Sequence, residues 1–157
     1  SQSGFMATRI EETTLQTQTF ASQVASLVAE GVFQQIPALK VVLMESGISW
    51  LPGLMWRMSK DWKGARIEVP WLEAPPMETI ARHFRLTTQP FDGPTDPATA
   101  ARVLDQLPHP DMLLWSSDFP HRHADRGLPT GLPEALHPAV LGANALAIYD
   151  RLELSDV

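Results

Sequence analysis

Three short runs rich in apolar and β-branched residues constrain this chain more than anything else in it. They cover residues 39–44 (Leu, Lys, Val, Val, Leu, Met), 84–88 (Phe, Arg, Leu, Thr, Thr) and 112–116 (Met, Leu, Leu, Trp, Ser). Near-continuous apolar runs of this length read as strands buried on both faces, because a strand with one wet face alternates apolar and polar residues. Between the runs the apolar residues recur at helical spacing. Phe20, Val24, Leu27, Val28 and Val32 form a stripe over residues 17–34, stopped by Pro37, and Leu51, Leu54, Met55, Met58 and Trp62 form another over residues 50–63. Pro75 and Pro76 open a further short helix. Asp96 followed by Pro97 reads as an N-cap with a first-turn proline, backed by Val103, Leu104 and Leu107. A last helix is expected over residues 138–152, with Val140, Leu141, Ala145, Ile148 and Tyr149 in reach of one another. Strands alternating with helices in this way predict an α/β fold with a parallel sheet covered by helices.

Composition narrows the functional classes. With 157 residues, 44% hydrophobic and 19% charged, the chain can build one globular core, and no linker or repeat divides it. Residues 1–16 read as an irregular N-terminal segment and 17–157 as one domain. A net charge of -6 without any basic run argues against nucleic acid and against anionic membranes as partners. No stretch approaches the ~20 apolar residues of a membrane span. The absence of cysteine excludes disulfides, thiolate catalysis and Cys-ligated zinc, and fits a reduced cytoplasm. Any metal must therefore rest on imidazole and carboxylate ligands. The opening Ser-Gln-Ser-Gly lacks an initiator methionine, which fits a tag remnant or a truncated chain.

In parallel α/β folds the functional groups collect just beyond the carboxyl ends of the strands. All three ends are polar here: Glu45, Ser46 and Gly47 after the first strand, Thr87, Thr88 and Gln89 at the second, and Ser116, Ser117 and Asp118 at the third. A carboxylate directly after a buried strand has to be paired, hydrogen-bonded or metal-bound. Asp118 is thus the first candidate ligand, the alternative being a turn cap that accepts backbone N–H bonds. Glu45 could orient a substrate or water, or pair with Arg57 or Arg85. His121 and His123 form an H-x-H in a loop, where contact with substrate or solvent is expected before joint ligation of a metal. Trp50 stands near the first strand end as a pocket wall, while Met55, Trp56 and Trp62 read as packing residues. Arg82, His83 and His109 fit no motif, and Asn144 reads as a surface polar residue.

The run Leu114, Trp115, Ser116, Ser117, Asp118, Phe119, Pro120, His121 resembles the strand-eight signature of the amidohydrolase-related (amidohydrolase 2) family. Residues 30–33, 37–47 and 50–52 are similar to that family's strand-six region, residues 84–90 to its strand seven, and Asn144-Ala145 to its closing Asn-Ala. The resemblance implies a partial (β/α)8 TIM barrel, roughly strands six to eight with their helices, and one divalent metal, zinc by expectation, at the mouth. Asp118 would be the metal-binding carboxylate, with Asp118 and Glu45 as the catalytic acids and His121, Trp50 and Gln89 against a small-molecule substrate. The implied reaction is hydrolysis of C–N or C–O bonds by a metal-activated water, whose pKa falls towards roughly 7. Non-oxidative decarboxylation is the alternative within the family, and a non-catalytic interaction module derived from it is another. The chain departs from the family in having Glu45 rather than a histidine after strand six, and in lacking the strand-one H-x-H and the strand-five histidine. A whole barrel needs about 250 residues, so a second copy or an N-terminal barrel half is the expected partner, and this chain alone is expected to be a poor catalyst.

Overall fold

A computed structural model of the chain describes residues 5–121 and 127–149. Helix α1 (Arg9–Ala29) is followed by a short turn of helix α2 (Val32–Gln35), strand β1 (Val41–Leu43) and helix α3 (Leu51–Ala65). Helix α4 (Pro76–His83) runs directly into strand β2 (Phe84–Thr87), and helix α5 (Pro97–Leu104) leads through a 3-10 turn at Pro110–Met112 into strand β3 (Leu113–Leu114). The final helical segment begins as a wide π-type turn, Ala139–Ala143, and tightens to α6 (Asn144–Leu146). The strands form one parallel sheet in the order β1-β2-β3, as the alternating pattern requires. No helix among the described residues is long and apolar enough to cross a membrane.

Helix α1 starts at Arg9, so residues 9–16 are helical and the expectation of an irregular segment 1–16 is corrected. The cause is a capping box. Thr8 Oγ1 accepts the Glu11 N–H at 3.3 Å while the Glu11 carboxylate accepts the Thr8 N–H at 2.8 Å, which closes two of the orphan donors of the first turn. Polar residues then extend the helix ahead of its apolar stripe. The strands are shorter than the apolar runs predict, because Met112 is taken into the 3-10 turn and, beyond the bond from the Thr88 N–H to the Leu114 carbonyl, the hydroxyls of Thr88 and Ser116 replace backbone partners. The end of the expected last helix, residues 150–152, lies outside the described residues.

Paired residues of adjacent strands share a face of the sheet. Val41 with Phe84, and Leu43 with Leu86 and Leu113, line the face packed against the helices, where Phe84 and Leu86 are fully buried. Phe33 fills the space beneath them, 5.2 Å from the Phe84 ring edge-on and 4.4 Å from the stacked His83 ring. Val24 and Val28 of α1 and Leu51 and Met55 of α3 complete this core. Trp62 is buried as expected, whereas Trp56 is exposed, being on the outer side of α3.

Asn144 is not a surface residue. Only 7% of it is exposed, and its Nδ2 donates to the carbonyls of Pro110 at 3.1 Å and Leu113 at 2.9 Å. It thereby ties the closing helix to the start of β3. Replacing it by alanine removes both bonds and leaves the Pro110 carbonyl with the Leu113 N–H alone, for which a loss of about 2 kcal/mol in unfolding free energy is expected. Urea unfolding of Asn144→Ala beside the parent measures it, and an unchanged midpoint would contradict this role.

Candidate functional site

The carboxyl ends of the strands are laced together by side chains acting on backbone. Thr87 Oγ1 accepts the Glu45 N–H at 3.0 Å, Ser116 Oγ accepts the Gln89 N–H at 2.9 Å, and Thr88 Oγ1 accepts the Ser116 N–H at 3.1 Å. The Thr88 N–H continues the ladder to the Leu114 carbonyl at 2.9 Å. Each hydroxyl serves as a ladder rung where the chains diverge, which spreads the three ends around a common mouth and keeps them in fixed relation.

At this mouth stand the two acids that the sequence singles out. Glu45 and Asp118 are the two non-glycine residues with positive φ among the described residues, at 57° and 59°. The left-handed region costs an L-residue about 1–2 kcal/mol, and aspartate tolerates it better than glutamate does. Turns of this shape normally take glycine or asparagine, so two acids held there mark positions where a carboxylate is kept at some cost to the fold. The peptide bonds Gln89–Pro90 and Phe119–Pro120, in the loops on the same side, are cis.

The Asp118 carboxylate does not make the backbone bonds of the turn cap that was the alternative to a ligand role. The turn's own bonds run from the Phe119 N–H to Ser117 Oγ and from the His121 N–H to the Asp118 carbonyl, at 3.3 and 2.9 Å. The carboxylate is left for the His121 ring, whose Nδ1–H donates to Oδ1 at 2.6 Å. Asp118 is 26% exposed and His121 70%, so the pair stands at the rim with the carboxylate inward. This hydrogen bond, and then the charges of Asp118 and Glu45, raise the His121 pKa above its ordinary value. The charge of Glu45 is thus felt at the His121 ring. Glu45 makes no ion pair with Arg57 or Arg85, since Arg57 binds Asp61 and Arg85 binds Asp111.

The other expected site residues are placed differently. Gln89 lies at the mouth, its Oε1 accepting the Phe91 N–H at 3.3 Å, and borders a cavity of about 340 Å³ with Thr88, Phe91 and Thr95. Trp50 packs on the core edge with its indole N–H committed to the Ser46 carbonyl at 2.8 Å, which makes it a wall of the loop rather than a free donor. His123 lies outside the described residues. Asp92 was not singled out by sequence reasoning, yet its carboxylate accepts the N–H groups of Ile48 at 2.7 Å and Ser49 at 3.1 Å and the Ser49 hydroxyl at 2.6 Å. It pins the loop after Glu45, and Gly47, with φ 69°, leaves room for it, since a Cβ there would run into the Asp92 carboxylate. The visible signal was an acid inside a proline- and glycine-rich loop, which reads as an ordinary turn.

Among the described residues no three His, Asp or Glu groups stand close enough to hold a metal ion. Asp118 offers one open carboxylate, fewer than the three protein ligands of a catalytic zinc site. The described residues fit an edge of a metal centre and not a whole one.

The model of the amidohydrolase family matches residues 7–151. The chain belongs to this family. Among curated proteins no sequence matches. An amidohydrolase structure from Mycobacterium avium subsp. paratuberculosis K-10 is similar at TM-score 0.68 and 22% identity, covering 90% of this chain and 35% of that one. 5-Carboxyvanillate decarboxylase from Sphingomonas paucimobilis aligns at TM-score 0.61 and 23% identity over 82% of this chain and 39% of its own. Dihydroxybenzoic acid decarboxylase from Polaromonas sp. JS666, solved with bound manganese and the inhibitor 2-nitroresorcinol, aligns at TM-score 0.61 and 22% identity over 84% of this chain and 40% of its own. The amidohydrolase chain described here therefore spans little more than a third of these proteins' lengths and has the fold of part of their barrels.

Two outcomes follow from the geometry. Glu45→Gly relieves the left-handed strain, so stability should hold or rise by about 1 kcal/mol in thermal unfolding, whereas a structural role for the carboxylate would show as a loss. Asp118→Asn removes the cause of the raised His121 pKa, and NMR titration of the ring should show that value falling towards the ordinary histidine range. Because the folded-state pKa is the raised one, this pair's contribution to stability is present in full below the ordinary histidine pKa and fades as pH climbs through the raised value.

Proposed function

We propose that this chain is the C-terminal part of a metal-dependent amidohydrolase barrel, with β1 to β3 in the places of strands six to eight, and that Asp118 supplies one ligand to its divalent cation. The observation behind this is the placement of Asp118 and Glu45: two acids in left-handed turns at two strand ends of one sheet, with a histidine bonded to one of them. The remaining ligands come from other strands, contributed by an N-terminal barrel half or by a second copy. Among the described residues both β1 and β3 have a neighbour on one side only, and such edges call for a partner. A zinc or manganese ion held there supplies Lewis acidity to a small-molecule substrate.

The chain's own residues set up the proton chemistry. Asp118 and His121 share a short hydrogen bond along which a proton can be held, because the carboxylate favours the protonated ring. Glu45 orients whatever enters from the side of β1, and Gln89 contributes an amide from the end of β2. With a C–N or C–O bond as target, a water molecule gives up a proton to this set and forms a C–O bond to the carbon, and the proton passes to the leaving nitrogen or oxygen as the original bond breaks. Two of the similar barrels are decarboxylases, which favours a second reading in which the same pair delivers its proton to the carbon that releases CO2. Alone, this chain is expected to be a poor catalyst.

Calorimetric titration with zinc and with manganese tests the ligand assignment. The parent chain, which carries only part of the ligand set, should bind weakly, and Asp118→Asn should weaken that binding by about tenfold or more, as loss of an anionic ligand or its support does. Equal binding by both proteins would remove Asp118 from the centre.

A further inference from the structure

At the opposite end of the sheet, where the strands begin, the structure gathers cations. Lys40 stands immediately before β1, Arg85 is the second residue of β2, Arg82 sits in the last turn of α4, His109 caps the 3-10 turn that leads into β3, and Asp111 lies within that turn. They border a cavity of about 610 Å³, with Glu78 of α4 also at its wall. This end is remote from the mouth formed by Glu45, Gln89 and Asp118, and nothing proposed for that mouth depends on it.

Structural duties account for part of this cluster. Arg85 NH1 donates to the carbonyls of Ala81, Arg82 and Phe84 at 3.2, 3.4 and 2.9 Å, closing the carboxyl end of α4. Its NH2 reaches one oxygen of Asp111 at 3.1 Å. The Nε–H is left over. Arg85 is only 6% exposed, and its Nε is the single buried side-chain polar atom without a partner among the described residues. The Nε–NH2 edge of a guanidinium is one of its bidentate forks for oxyanions, and here Asp111 uses only half of it.

Nor are the flanking cations neutralised. The Lys40 Nζ donates to the Arg82 carbonyl at 2.7 Å. Among the described residues neither Lys40 nor Arg82 has a carboxylate within 4.0 Å, Glu78 included. The field this creates registers on Lys40 itself, whose pKa is lowered by burial and then by the charge of Arg85, against an opposing pull from Asp111 and with a further push from Arg82.

We propose that this cavity is a binding site for a dianionic oxyanion of the phosphate class, seated on the Nε–NH2 edge of Arg85 and neutralised by Lys40 and Arg82. Two cations without counter-ions match two negative charges. A half-used guanidinium fork that is already immobilised by α4 loses little freedom on binding. Asp111 is then the displaceable occupant, exposed enough to swing aside.

Titration with inorganic phosphate, followed by NMR through the Arg85 Nε–H and the Lys40 and Asp111 amides, tests the site in the folded chain. Saturable shifts in the millimolar range are expected, absent with chloride at matched ionic strength and at least about tenfold weaker with acetate, a monoanion. Lys40→Gln and Arg82→Gln, both at positions that leave the Arg85 contacts intact, should each weaken phosphate by about tenfold. Shifts equal for phosphate and chloride, or affinity unchanged in both variants, would overturn the site, and acetate binding as tightly as phosphate would overturn the dianion assignment.

Discussion

The ladder on either side of β2 is the constraint from which the rest of the molecule follows. Its four residues are all buried, and it is the strand with a partner on both sides. Parallel strands of two to four residues hold few hydrogen bonds of their own, so position at their ends depends on what is added to the ladder. Here the additions are the hydroxyls of Thr87, Thr88 and Ser116 at one end and the guanidinium of Arg85 at the other. Burial on the helix-packed face, through Phe84 and Leu86, fixes the register, and a slip by one residue would send these polar groups into the core.

The two ends of the sheet consequently acquire opposite electrostatic characters. At the carboxyl end the charges of two acids, Asp118 and Glu45, draw the His121 ring towards its protonated form. At the amino end two cations, Lys40 and Arg82, stand beside the half-occupied guanidinium of Arg85, and the lysine is pushed the other way. The first suits a cation and proton traffic, and the second suits an anion. A chain with net charge -6 thus keeps a local positive site by structure rather than by composition.

Much of this was legible in the sequence. The three apolar runs located the strands, and their continuity announced a parallel sheet. Position after a strand was enough to pick out Glu45 and Asp118. What escaped was carried by interactions between residues far apart in the chain. Asn144 looks like a surface amide until Leu113 and Pro110 arrive against it. Asp92 looks like a turn residue until Ile48 and Ser49 present their N–H groups to it. The positive φ of Glu45 could not be read at all, since glutamate carries no propensity for that region. The early start of α1 was readable, in Thr8 and Glu11, but its polar first turns lack the apolar period on which helices are usually recognised.

The central claim is that the strand-end acids form one side of a divalent-cation centre. Paramagnetic relaxation by manganese, added in small amounts to the isotope-labelled chain, tests it at the level of single residues. The amides of Glu45, Gln89, Asp118 and His121 should broaden first and together, and should recover in Asp118→Asn. Broadening spread over other acidic groups, such as Glu11 and Glu12 at the start of α1, with the mouth unaffected, would contradict the account.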